Sequence, residues 1–219
     1  EKAGEIIPQV LGATERSDQP RFVAPTVCPA CDAPLDREDG RVVLRCPNRV
    51  GCPAQRQAAL EYFVGRGQLN IDGMGEKIIA QLVDAGLVHD VADIFDLTLP
   101  QLAGLERFGE TSARNLIAAI ATARTTTTFS RLLAALGVPN VGHTVARLVA
   151  ARYRSMSALR AAAAAVEPEA FVTELSAIDG IGDVIAAAID RFVRDPHLAA
   201  LLDKLAARGV DPVEPVVEV

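Results

Sequence analysis

The stretch LNIDGMGEKIIAQLVDAGL, residues 69–87, decides how the rest of the chain is read. Its core is Ile71-Asp72-Gly73-Met74-Gly75, in the pattern apolar-x-Gly-apolar-Gly, whose first glycine varies in the repeats. A run with helical periodicity, EKIIAQLVDAG, follows at once. The frame returns three times, as Leu105-Glu106-Arg107-Phe108-Gly109, Val138-Pro139-Asn140-Val141-Gly142 and Ile178-Asp179-Gly180-Ile181-Gly182. The closing glycines are 34, 33 and 40 residues apart. Each frame leads into another helical pattern: ETSARNLIAAI, HTVARLVAARY, DVIAAAIDRFV. Short helical segments precede the four frames at 54–65, 98–104, 129–136 and 168–177. Ala113, Ala146 and Ala186 each stand four places after the last glycine of their frame. Helix, tight turn and helix, repeated at such a period, make an array.

The glycines have a physical reason. Glycine accepts positive φ and leaves no Cβ in the way. Consecutive N–H groups can then point outward at the start of a helix, where they and the helix dipole suit a phosphate. The plainer reading is that each glycine only permits a tight corner between two helices. Four such turns in a row suit a strand of phosphates better than four unrelated corners. At the first turn position Asn140 tolerates positive φ, whereas Arg107 does so poorly. The second hairpin is therefore expected to bind through side chains or only to pack. Glu76, Glu110 and Asp183 open three of the helices, where they satisfy the dipole but compete with phosphate.

Composition narrows the class. The 219 residues are half apolar, poor in aromatics and rich in alanine, which predicts an aliphatic, mostly helical core. No apolar run reaches about 18 residues without a charge, which argues against a membrane span. No secretion signal opens the chain, so a cytoplasmic location is expected. The net charge of −6 speaks weakly against nucleic acid, but the distribution does not. Residues 107–160 hold Arg107, Arg114, Arg124, Arg131, Arg147, Arg152, Arg154 and Arg160 against the single acid Glu110. These residues form a basic patch or, in the plainer reading, a set of solvated helix faces. Asp195-Pro196 starts a helix that runs to Arg208 and stops at Gly209. His89, His143 and His197 are scattered, and no arrangement of histidine, acid and serine suggests catalysis.

Four cysteines fall within 25 residues as Cys28-x2-Cys31-x14-Cys46-x5-Cys52. Two disulfides would suit a secreted staple. Instead Pro29, Pro47 and Pro53 follow three of the four and make tight knuckles, in which four thiolates complete a tetrahedral zinc shell with no open position. That is a structural site, not a catalytic one. The insert DREDGRVVLR, with a turn at Asp39-Gly40, reads as a short β-hairpin. Arg37, Arg41, Arg45 and Arg49 crowd it, placed to offset thiolate charge or to reach a phosphate.

The repeated frame resembles the helix-hairpin-helix, whose form is apolar-x-Gly-apolar-Gly-x-x-x-Ala. That resemblance implies backbone-mediated binding of DNA with little sequence reading. It points to Gly73, Gly75, Arg107, Gly109, Arg114, Asn140, Gly142, Arg147, Gly180 and Gly182 as DNA-binding residues. Asn70 stands where a nucleophilic lysine would precede Asp-Gly in a self-adenylating centre, but the Asp-Gly recurs at Asp179-Gly180 and belongs to the hairpin.

The whole order is similar to the C-terminal half of the bacterial NAD-dependent DNA ligases. The matching points are K-A-G-E-I-I-P at residues 2–8, the cysteine spacing followed by P-A-Q, N-I-D-G-M-G-E-K, and L-x-A-L-G-V-P-N-V-G. The resemblance implies a mainly α fold, an array of four hairpins preceded by a small four-cysteine zinc module. It divides the chain into the end of an OB-fold domain with its linker (1–24), the zinc module (25–55), the DNA-binding array (56–209) and a linker tail (210–219). It implies a partner, nicked double-stranded DNA, and a monomer. The parent enzyme would use NAD and magnesium to seal nicks in replication and repair, while this stretch, lacking the adenylating lysine, would grip DNA without catalysis. Two alternatives remain: the DNA-binding region of another helix-hairpin-helix repair protein, and a protein-interaction scaffold whose glycines are only corners.

Overall fold

In the computed structural model, residues 11, 22–37, 43–48 and 51–216 are described. The expected OB-fold strand at 2–8, the Asp39-Gly40 turn, Arg41, Arg49 and the last three residues of the tail lie outside them. The chain divides into two compact units, residues 1–47 and 48–219.

In the first unit the backbone pairs in short antiparallel steps. Val27 bridges Pro34 and Asp36 bridges Arg45. Asp36 and Arg45 exchange both backbone hydrogen bonds, at 2.7 and 2.8 Å. The Cys28 N–H donates to the Ala33 carbonyl at 2.8 Å, and the Asp32 N–H to the Cys28 carbonyl at 2.9 Å. Asp32 makes this loop possible by taking a left-handed conformation, φ 56°, which aspartate tolerates better than most residues.

The second unit is helical. Its described residues form α1 (Pro53–Val64), α2 (Glu76–Asp84), α3 (Leu99–Ala103), α4 (Glu110–Thr126), α5 (Phe129–Ala135), α6 (His143–Tyr153), α7 (Met156–Ala164), α8 (Pro168–Ser176), α9 (Asp183–Arg194) and α10 (Pro196–Ala207), with a 3-10 turn at Asp93–Asp96. Pairs α1–α2, α3–α4, α5–α6 and α8–α9 are the four hairpins, and the two helices of each pack on one another. This is the mainly α array that the repeated frame predicts.

Each hairpin carries its own apolar content to one shared core. The first helices contribute Phe63, Leu102, Phe129 and Phe171, all fully buried. The second helices contribute Ala113, Ala146 and Ala186, also fully buried. Their small side chains let the crossing helix approach closely. The first hairpin has Ile79 in that place, 2 % exposed, and Phe63 meets the Phe95 ring edge-on at 6.4 Å. Helices end by rule: Gly86 and Gly209, φ 66° and 77°, close α2 and α10 with Schellman turns, in which Leu87 and Val210 donate to the Leu82 and Leu205 carbonyls, each at 2.9 Å.

Candidate metal centre and nucleic-acid interface

The Sγ atoms of Cys28, Cys31, Cys46 and Cys52 all lie within 4.8 Å of one another. A tetrahedral zinc with Zn–S bonds of about 2.3 Å needs sulfurs about 3.8 Å apart. The sulfurs of Cys31 and Cys46 are separated by 3.5 Å, far beyond the roughly 2.05 Å of a disulfide. The fit is therefore to a metal and not to a staple. Cys28 and Cys52 are buried, 6 % and 1 % exposed, while Cys31 and Cys46 are half-buried. Cys52 is also the N-cap of α1, with Pro53 at the first helical position. Four cysteine ligands close the shell and assign zinc a structural role.

The hairpins share one backbone geometry. The first turn position has positive φ in all four: Gly73 at 83°, Arg107 at 57°, Asn140 at 65° and Gly180 at 86°. The N–H of the second apolar residue donates to the carbonyl of the first in each case: Met74 to Ile71, Phe108 to Leu105, Val141 to Val138, Ile181 to Ile178, at 3.0 to 3.3 Å. Arg107 therefore adopts the left-handed backbone that its residue type disfavours, and the second turn has the same backbone geometry as the others. The turn's hydrogen bond and the helices on either side impose the left-handed backbone on an unfavourable residue, and the hairpin forms like its neighbours.

The closing glycines behave differently. Gly75, Gly109, Gly142 and Gly182 are the N-caps of α2, α4, α6 and α9, with extended backbones near φ −73° to −87°. Any residue adopts that conformation. A Cβ added at any of the four would meet nothing within 4 Å. Neither strain nor packing inside the chain explains glycine here. Nor is capping the reason, since these four helices have no side-chain cap. Four other helices are capped by Thr98, Thr128, Ser155 and Asp195, while α1 and α8 also lack a side-chain cap but open with proline. Four open helix N-termini, each bare of side chain, are where an anion can reach the backbone.

All ten residues expected to bind DNA are exposed. Glu110 is turned to Arg114, 2.6 Å away, which offsets its charge, whereas Asp183 accepts from the Ser176 hydroxyl at 2.8 Å and keeps its charge. Hairpin three opens with His143 in place of an acid and carries Arg147 one turn on; Arg147 has no ion-pair partner among the described residues. At hairpin one a cleft of about 330 Å³ is lined by Gly73, Gly75, Glu76 and Arg66. Arg66 stands between Gly65 and Gly67, and no sequence motif singles it out.

Four of the eight arginines of the patch are engaged within the second unit. Arg131 donates to the Gln68 carbonyl at 2.8 Å. Arg152 pairs with Glu174 at 3.2 Å and lies over the Tyr153 ring. Arg154 donates to the Pro215 carbonyl and Arg160 pairs with Asp203. These four make contacts within that unit. Arg107, Arg114, Arg124 and Arg147 are exposed; Arg107 and Arg114 pair with Glu106 and Glu110 of their own hairpin, and Arg124 and Arg147 have no ion-pair partner among the described residues.

Comparison with known proteins agrees with this geometry. Residues 27–54 match the NAD-dependent DNA ligase C4 zinc finger domain. Residues 69–122 match a SAM-like helix-hairpin-helix tandem, and residues 131–202 a helix-hairpin-helix motif. The chain is similar to a DNA ligase of Gemmatimonas aurantiaca, 43 % identical over 218 residues, 98 % of this chain and 30 % of that protein. It is also similar to a DNA ligase of Halothermothrix orenii, 41 % identical over 213 residues, 96 % of this chain and 30 % of that protein. The chain thus spans 30 % of the length of these curated relatives. No helix among the described residues is long and apolar enough to cross a membrane.

Proposed function

We propose that this chain, whose cysteine module and hairpin array are those of the NAD-dependent DNA ligase family, is the part of such an enzyme that grips duplex DNA around a nick. The observation that carries this reading is the set of four N-cap glycines whose Cβ positions face open space. Each leaves backbone N–H groups and the positive end of a helix for one phosphate, without contact to a base edge. Binding of this kind is indifferent to sequence. Gly73, Gly180, Arg107 and Asn140 shape the turns; Gly75, Gly109, Gly142 and Gly182 present the amides; Arg114 and Arg147 add charge from the next helical turn. In this reading the NAD-dependent adenyl transfer and its magnesium belong to other parts of the parent protein, which works in the cytoplasm as a monomer. The functional boundaries proposed are 25–55 for the zinc module and 56–209 for the array.

Titration of the chain against nicked and intact duplexes of one sequence, by fluorescence anisotropy at two salt concentrations, tests the proposal. With about four to six phosphate contacts, log affinity falls against log salt with a slope near −4 to −5. Arg114→Glu with Arg147→Glu weakens binding roughly tenfold or more, as loss and reversal of two phosphate contacts require. Preference for the nick places recognition in this part of the enzyme. Equal affinity for both duplexes assigns nick-finding to the rest of the enzyme. Binding that ignores salt, or survives the double substitution, overturns the reading in favour of a protein-interaction scaffold.

A further inference from the structure

The last residues of the array make contacts that neither hairpin match covers. Lys204, near the end of α10, reaches back 114 positions to Asp90, Nζ to Oδ2 2.6 Å. Arg208 donates from Nε to Asp96 at 2.6 Å. Both acids sit in the first hairpin pair, between α2 and α3. The loop that holds them is preset: Asp90 Oδ1 accepts from the Ala92 N–H at 2.9 Å, and Asp93 accepts from the His89 N–H at 2.8 Å. Past α10 the chain turns at Gly209 and buries Val210, 2 % exposed. It then runs to the third hairpin. Both carboxylate oxygens of Glu214 are engaged there, by the Ser130 N–H at 2.7 Å and the Ser130 hydroxyl at 2.8 Å. The Glu214 N–H donates to the Arg154 carbonyl at 2.8 Å, and the Arg154 guanidinium to the Pro215 carbonyl at 3.2 Å.

Ser130 is at the start of α5 and Arg154 follows the end of α6. In a helical hairpin these two ends lie together, opposite the turn. The tail therefore ties hairpin three at its rear and leaves the Asn140–Gly142 corner open. One segment, residues 204–215, touches the first hairpin pair at one end and the second pair at the other.

We propose that residues 204–215 form a strap that sets the spacing of the two hairpin pairs, with Lys204, Arg208 and Glu214 as positioning residues for duplex binding. The proposal rests on the DNA-gripping reading. Individually, exposed ion pairs contribute little. Their effect here is geometric: two weak phosphate-binding pairs engage one duplex together only when their spacing matches it.

Glu214 allows a test in which electrostatics and strap predict opposite signs. Glu214→Ala and Glu214→Gln in the full chain remove the same negative charge. If Glu214 acts only through its field, both variants bind duplex more tightly and equally. If it anchors the strap, Glu214→Ala weakens duplex binding by about fivefold through lost avidity, and Glu214→Gln, which still accepts a hydrogen bond from Ser130, recovers most of it. Amide hydrogen exchange without DNA supplies the second readout. The strap predicts that Glu214→Ala speeds exchange at Phe95 as well as at Ser130, and that Lys204→Ala with Arg208→Ala speeds exchange at Ser130. Changes confined to the altered anchor overturn the strap. If the unaltered chain shows no salt-sensitive duplex binding, the DNA reading fails while the exchange experiment still decides the strap.

Discussion

A single methyl group separates two kinds of glycine in this chain. Gly180 has φ 86°, and a Cβ there would come within 3.1 Å of a Leu148 methyl. Gly180→Ala combines a left-handed backbone with a close contact and destabilises the array by about 1–2 kcal/mol. Gly142 has φ −87° and open space around its Cβ position. Gly142→Ser gives α6 the side-chain cap it lacks and stabilises by a few tenths of a kcal/mol. The serine hydroxyl then occupies the amides that the phosphate would use. Thermal melts and duplex titration of that variant are expected to move in opposite directions, with a higher Tm and weaker binding. A variant that is both more stable and equally tight in binding would remove hairpin three from the interface. Arg107 is the converse. Its φ of 57° is one that glycine adopts without cost, so Arg107→Gly stabilises by about 1 kcal/mol, read by urea unfolding.

At the scale of elements, α6 and α8 are joined through one phenol. Tyr153 is buried against Phe171, ring centroids 6.1 Å apart, and its hydroxyl donates to Glu174 at 3.0 Å. Burial first, and then that carboxylate, push the Tyr153 phenol up to about 12 from its usual value near 10. The folded state holds the proton more tightly than the unfolded chain. The resulting stability is complete below about pH 10 and is lost as pH rises from there through about 12. Tyr153→Phe costs about 1 kcal/mol at neutral pH and flattens this alkaline decline, which urea unfolding at about pH 8, 10 and 11 measures. A parallel decline in both proteins would assign the loss to other groups. The hairpin elements were legible in the sequence because their signals are local: two apolar residues and a closing glycine at fixed offsets in all four, with an alanine four places on in three of them. The helix from Pro196 to the glycine at 209 was legible for the same reason. The short helix Met156–Ala164 was not, since its alanines carry little periodic pattern. The arginines were legible as charges and not as contacts. Arg131, Arg152 and Arg160 find partners 63, 22 and 43 positions away, and no local pattern encodes such distances. The same holds for the tail, whose Glu214 meets Ser130 across 84 positions.

At the scale of the whole molecule, two different principles of stability meet in one chain. The array is large enough to bury a continuous aliphatic core from Leu60 to Val210. The cysteine module has isolated bridges and no named strand among its described residues. A segment of about 30 residues with so little regular structure cannot fold on apolar burial alone. Zinc supplies the difference, since four thiolates on one ion can be worth about 10–16 kcal/mol of coupled binding and folding. Cys46→Ser leaves three ligands and opens the shell to water, and a strong chelator removes the ion altogether. Both are expected to unfold residues from about 25 to the start of α1, whose N-cap is Cys52. The helices from Glu76 onward draw on neither ligand nor knuckle, so far-UV circular dichroism stays close to that of the unaltered protein. Amide resonances of residues 26–48 collapse into the unfolded range, while those of the hairpins keep their dispersion. Loss of most helical signal on chelation would mean that the array depends on the metal, and the two principles would then be one.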